Sequence, residues 1–261
     1  MPRVALGEIV SYLDSYLRIA DVPDERNAVN GLQVENAGSV GSIIAAVDAS
    51  QATIDGVAAA ADGESPLLLV HHGLFWEGNV PFTGRRYRRI TALLEQDIAL
   101  YSAHIPLDLH PEVGNNVVLA ERLGIEVEGW FGDYHGAPIG VWGHAPQRLA
   151  VRDSLLLEVT HALGAAAGAR LVAGGPEVVG RVGIITGSAG NMIAAARDAG
   201  LDTFITGEGP HHSYFDAMEW GVNVLFAGHY ATETLGVQAL ASHIAERFGL
   251  EWEFHDHPTG L

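Results

Sequence analysis

His229 and Glu233 stand four residues apart, just after the apolar run 224–227 and Gly228. On a helix that spacing puts both side chains on one face. An imidazole and a carboxylate so placed make half of a metal site. Read alone, the pair fits better a first helical turn with a carboxylate near the positive end of the helix dipole. Two other places repeat the chemistry. The apolar run 67–70 ends in His71-His72, and the run 98–103 ends in His104, with Asp108 four residues further on. In parallel α/β sheets, ligand-binding groups collect beyond the carboxyl ends of the strands. Three strand ends that finish in imidazole or carboxylate therefore predict a common cleft. On a continuing strand His71 and His72 point to opposite faces. Either the chain turns at Gly73 so that both reach one site, or each serves a different ion of a pair. A carboxylate such as Glu233 can bridge two ions about 3.5–4 Å apart, as in two-metal hydrolases. Donors shared in this way leave positions open for water or substrate, the mark of a catalytic site. His110, His211 and His212 read equally as groups that orient ligands or handle protons and as ordinary loop histidines.

The elements that must position these groups follow from periodicity and punctuation. Apolar residues at helical spacing predict a helix over 6–20, which Asp21-Val22-Pro23-Asp24 ends. Buried strands are expected at 42–47, 67–70, 98–103, 181–185, 203–206 and 222–226, with a last one at 250–255. Helices are expected at 87–96, 115–123, 151–163, 191–199, 213–220 and 229–248, the second closed by Gly124. Strands alternating with helices of about ten residues predict an α/β fold with mostly parallel sheets. A weak internal echo, between the region ending in His71-His72 and the region ending in Thr206-Gly207-Glu208, suggests two related α/β domains. On this reading residues 1–125 with 205–261 carry the metal ligands, and residues 126–204 form the second domain.

Composition narrows the function. The chain has 261 residues, 13 histidines and no cysteine, so any metal is held by imidazole and carboxylate rather than thiolate. The lack of cysteine, and of a basic and apolar leader, fits a cytoplasmic protein. No apolar run reaches the roughly 18 residues of a membrane span. The net charge is −18, and such a surface repels nucleic-acid phosphates. Only Arg85-Arg86-Tyr87-Arg88-Arg89 is locally basic, either a solvated helix start or a contact for a phosphate-bearing ligand or acidic partner. The glycines match neither a P-loop nor a dinucleotide fingerprint.

The blocks Asn30-Gly31-Leu32-Gln33-Val34, Val70-His71-His72-Gly73-Leu74-Phe75-Trp76, Tyr101-Ser102-Ala103-His104-Ile105-Pro106-Leu107-Asp108, Thr206-Gly207-Glu208 and Ala227-Gly228-His229-Tyr230-Ala231-Thr232-Glu233 carry a resemblance. In type and order they resemble the GTP cyclohydrolase I type 2 homologues, also called dinuclear-metal-centre or NGG-interacting-factor-three-like proteins. The resemblance implies a two-metal site in the cleft between two α/β domains. It implies His71, His72, Asp108, His229 and Glu233 as metal ligands, with Glu233 as the bridge. Two divalent ions per chain are implied, zinc, iron and manganese all suiting such donors. It also implies a homohexameric ring with the metal sites facing its interior. Two departures stand out: Gly73, where many members have proline, and Gly209-Pro210-His211-His212. The function expected is metal-dependent hydrolysis of a small molecule, a nucleotide being one candidate, through metal-bound water with His104 or His212 carrying protons. The alternative is a non-catalytic metal-binding ring that binds partners.

Overall fold

The computed structural model describes residues 3–60, 63, 65–164 and 168–260. In chain order its strands are β1 Val4–Ala5, β2 Gly31–Val34, β3 Ser39–Val40, β4 Ser42–Asp48, β5 Leu67–His72, β6 Ala99–Ser102, β7 Gly129–Tyr134, β8 Ala137–His144, β9 Arg170–Ala173, β10 Arg181–Ile184, β11 Thr203–Thr206, β12 Asn223–Phe226 and β13 Glu251–Phe254. Its α-helices are α1 Leu6–Tyr16, α2 Gln51–Ala60, α3 Gly84–Glu95, α4 Ile105–Asp108, α5 Asn115–Leu123, α6 Arg152–Ala162, α7 Ile193–Asp198, α8 Ser213–Trp220 and α9 His229–Phe248. The α/β class is as expected. None of the helices among the described residues is long and apolar enough to cross a membrane.

The chain forms two compact units: residues 1–107 with 237–257, and residues 108–236 with 258–261. The first contains a five-stranded sheet of order β13-β4-β5-β6-β2. Its first four strands are mutually parallel, and β2 closes the edge antiparallel to β6. The interior of β4 and all of β5 up to His71 are buried, as befits parallel strands covered on both faces. Ile44, Leu68, Val70 and Leu100 of this sheet pack with Ile54, Val57 and Leu93 of α2 and α3 in one apolar core. A small antiparallel ribbon, β1 with β3, lies outside the expected elements.

The second unit contains a six-stranded mixed sheet of order β7-β8-β10-β11-β12-β9. Here β10, β11 and β12 are parallel, while the β7–β8 hairpin and β9 join antiparallel at either edge. Leu119, Leu123, Val141, Leu155, Val182, Ile205 and Leu225 form its core. The units divide the chain differently from the expected boundaries at 125 and 205. The reason is strand pairing: β11 and β12 add to β10, so the segment from 205 to 236 belongs with the second sheet. Helix α9 starts in the second unit and contributes residues from Val237 onward to the first.

Candidate metal centre

In the first unit, parallel pairing sets Val70 opposite Ser102, so the carboxyl ends of β5 and β6 finish side by side. His71, His72 and His104 leave from those two ends, and one nitrogen from each lies within 4.8 Å of the others. Strand β5 runs through His72 rather than turning at the pair. The two rings nevertheless meet at 4.7 Å between centroids, because side chains at a strand end lean along the strand as well as away from it. His104, expected as a proton carrier, belongs to this same group, with its ring 5.0 Å from that of His71. Gly73 is not in a left-handed conformation. A Cβ there would strike the Gln33 amide. The Gln33 Oε1 accepts from Leu74 N at 2.8 Å, and its Nε2 donates to Val29 O at 2.9 Å. Glycine at position 73 thus makes room for a side chain that ties the loop to β2.

Each imidazole is held by its Nδ1. His71 Nδ1 lies 2.8 Å from Ala103 O, His72 Nδ1 lies 2.9 Å from Asp48 Oδ1, and His104 Nδ1 lies 2.9 Å from Asp24 Oδ1. Carbonyl and carboxylate oxygens only accept, so Nδ1 carries a proton in each ring and Nε2 is the nitrogen left for a metal. The Asp24 carboxylate also accepts from Asn30 Nδ2 at 2.7 Å and from Ile105 N at 3.0 Å. Burial works to raise the Asp24 pKa, but the hydrogen bonds and charge of His104, with the bonds from Asn30 and Glu25 N, hold it below the ordinary carboxylate value. Trp76 packs edge-on against His104 at 4.8 Å and His72 at 5.8 Å.

In the second unit, His229 opens α9. Its Nδ1 lies 2.7 Å from Glu208 Oε1, and its Nε2 lies 3.1 Å from Glu233 Oε1, one turn along the helix. Burial works against the imidazolium, yet the hydrogen bonds and charges of Glu233 and Glu208 win and raise its pKa to about 9. Glu233 is buried, and the loop after β10 lies against it. Gly187 there has φ +69°, and a Cβ on it would collide with Glu233 Oε1. Thr232 Oγ1 fixes the same loop by accepting from Gly187 N at 3.0 Å. Asp108 is also buried; its Oδ1 accepts from Asn115 Nδ2 at 2.8 Å, and Asn115 Oδ1 accepts from Gly236 N at 2.6 Å.

The donor chemistry fits divalent metal. Imidazole and carboxylate without thiolate suit zinc, iron and manganese alike. The three anchored imidazoles present nitrogens to one small volume, and the His229 surroundings favour positive charge. The remaining candidates differ. His110 is buried and uses Nδ1 as an acceptor for Glu112 N and Val113 N, which makes it the cap of its own turn. His211 and His212 are exposed ahead of α8, and the His212 imidazole makes no hydrogen bond among the described residues. Asp24, Asp48 and Glu208, which hold the imidazoles, and Asn30, which holds Asp24 and the His104 backbone, were not singled out for that role by sequence reasoning. The signal available was positional: Asp48 and Glu208 close or follow apolar runs just as His72 and His229 do.

The family model described as Duf34/NIF3 (NGG1p interacting factor 3) matches residues 4–259. A protein of Deinococcus radiodurans named GTP cyclohydrolase 1 type 2 homolog is 45% identical, over 99% of this chain and 95% of its own. Among solved structures, protein ybgI, described as of unknown function, superposes with a TM-score of 0.89 at 36% identity, covering 99% of this chain and 100% of its own. The crystal structure of TTHA1606 from Thermus thermophilus gives 0.83 at 40% identity, covering 99% and 100%.

Proposed function

The chain belongs to the Duf34/NIF3 (NGG1p interacting factor 3) family, and from that premise we propose that it is a dinuclear metal-dependent hydrolase of a small molecule. In this reading His71, His72, Asp108, His229 and Glu233 would hold two divalent ions. The observation that carries the reading is the three-imidazole group, in which every ring is anchored through Nδ1. Bound there, the ions supply Lewis-acid activation of a hydrolytic water.

The chain's own residues do the rest. Asp48 and the Ala103 carbonyl fix the tautomers of His72 and His71, so that these rings offer lone pairs rather than N–H groups. Glu208 holds Nδ1–H of His229 in the same way, and the Nε2 proton that faces Glu233 is the one a metal displaces. His104 carries the proton: Asp24 backs its Nδ1, and the pair can take up charge at Nε2 without leaving an unpaired cation. His212 has no such partner and is left, in this proposal, to exchange protons with solvent. The edge-on Trp76 shields the His72 and His104 rings from water. Relatives named GTP cyclohydrolase 1 type 2 homolog suggest a nucleotide as one substrate, and the family implies a hexameric ring.

The test is metal content per chain by mass spectrometry, on protein purified without added metal or chelator, beside His71→Ala and His229→Ala. About two ions per chain, lost or halved in each variant, is the expected result. A metal-free wild type that takes up no zinc, manganese or iron would overturn the reading.

A further inference from the structure

A second feature of the first unit lies outside the metal donors. A pocket of about 390 Å³ is lined by Arg26, Asn27, Phe75, Asn79, Phe82 and Arg86, together with neighbouring backbone. Its size falls in the range of small-molecule sites, roughly 300–1,000 Å³. No acidic residue lines it, although the chain carries 32 acidic residues against 14 arginines.

Arg86 is the centre of the argument. It is only 5% exposed, and no carboxylate among the described residues pairs with it. Its two terminal nitrogens donate to Val80 O at 2.7 Å and Gly78 O at 2.9 Å. Its guanidinium carbon sits 5.3 Å from the centre of the Phe75 ring and 5.6 Å from that of Phe82. Its Nε is buried without a hydrogen-bond partner among the described residues. The adjacent acid, Glu77, is taken by Arg85. Carbonyls and ring faces offset part of the cost of burying a guanidinium, but they do not supply the anion that normally accompanies a buried charge. Arg26 adds a second guanidinium, exposed and with no hydrogen bond or ion pair among the described residues. Asn27 and Asn79 add amide donors. Phe82 lines the pocket yet stays 60% exposed, an apolar surface beside two cations.

We propose that this pocket binds a phosphomonoester carried on a planar ring, the phosphate between Arg26 and Arg86 and the ring against Phe82. Guanidinium forks match phosphate oxygens in number and geometry, and the exposed aromatic face gives the ring a place to stack. The site does not depend on the metal centre proposed above.

Phenyl phosphate is the direct probe, with inorganic phosphate and phenol as its two halves. Calorimetric titrations use the full-length chain as purified and again after chelator treatment. Phenyl phosphate binds in both preparations, inorganic phosphate binds more weakly, and phenol does not bind at the same millimolar concentration. Arg26→Ala and Phe82→Ala, both at exposed positions, each weaken phenyl phosphate about tenfold or more, while their circular dichroism matches wild type. Binding that vanishes on chelation assigns the phosphate to the metals, and binding that ignores Arg26→Ala places it outside this pocket; either result overturns the proposal. So does an absence of saturable binding. If, in that last case, Phe82→Ala also shrinks the particle in light scattering, the pocket is covered by a second copy of the chain rather than by a ligand.

Discussion

Gly187→Ala tests whether the loop after β10 sets the position of the Glu233 carboxylate. Two costs separate cleanly. The first is backbone: Gly187 has φ +69°, and a side chain in the left-handed region costs about 1–2 kcal/mol. The second is steric: the new Cβ would lie well inside the 3.0 Å that real Cβ contacts keep, against Glu233 Oε1. That oxygen is the one 3.1 Å from His229 Nε2. Gly221 supplies the control, since it has the same φ of +69° with nothing within 4 Å of its Cβ. Gly221→Ala loses about 1–2 kcal/mol, which for a chain of this size lowers Tm by roughly 2–4 °C, and Gly187→Ala loses at least as much. Only Gly187→Ala also displaces the carboxylate, and displacing a group that orients a metal site typically costs 10–100-fold in affinity. Scanning calorimetry of the metal-free chains reads the first effect, and competition with a chromogenic chelator reads the second. Equal metal affinity in Gly187→Ala and Gly221→Ala would refute the claim that Gly187 makes room for a metal-binding oxygen.

Three more predictions follow from the charges around the imidazoles. His229 has a folded pKa raised to about 9. Its contribution to the stability of the metal-free chain is therefore complete below about pH 6.5 and is lost as pH rises through 9; urea titrations across that window show the decline, and Glu208→Gln flattens it. Metal uptake at pH 7.5 displaces the same proton, so calorimetry in buffers of different ionisation enthalpy reads close to one proton released for this residue in wild type and fewer in Glu208→Gln. Asp24 behaves in the opposite sense: its pKa is lowered by folding. Its contribution is present above about pH 4 and disappears as pH falls through the folded value, so Asp24→Asn has a shallower acid limb than wild type in the same titrations.

Elements governed by local rules were legible in the sequence. The expected bounds 115–123, 203–206, 213–220 and 229–248 are those of α5, β11, α8 and α9. In two of these helices a glycine in the left-handed conformation ends the element, Gly124 at φ 68° and Gly221 at φ 69°. The His71-His72 pair and His104 were visible because each interrupts an apolar run at its carboxyl end. The partners were not, because pairing is nonlocal: Asp48 lies 24 positions from His72, and Asp24 lies 80 from His104. The division of the chain was missed for the same reason. The strand 203–206 reads identically in sequence whichever sheet it joins, and only its pairing with β10 places it.

Register explains why the anchoring groups fall where they do. In the first sheet Asp48 pairs with His72 across parallel strands β4 and β5, and Val70 pairs with Ser102 across β5 and β6, which brings Ala103 beside His71. In the second sheet Thr206 pairs with Phe226, so Glu208 and His229 leave neighbouring strand ends two and three residues later. For His71, His72 and His229 the imidazole and the group that fixes its Nδ1 come from adjacent strands or their ends, whereas Asp24, which holds His104, comes from the loop before β2. A slip of one residue in either register would turn one member of each pair to the opposite face. Such a slip would repack both cores, because Ile44, Leu68 and Leu100 in one sheet and Ile205 and Leu225 in the other would exchange places with buried residues of the opposite face. The precision of the candidate site is therefore a by-product of core packing, and cavity-forming changes such as Leu68→Ala act on the imidazole geometry as well as on stability.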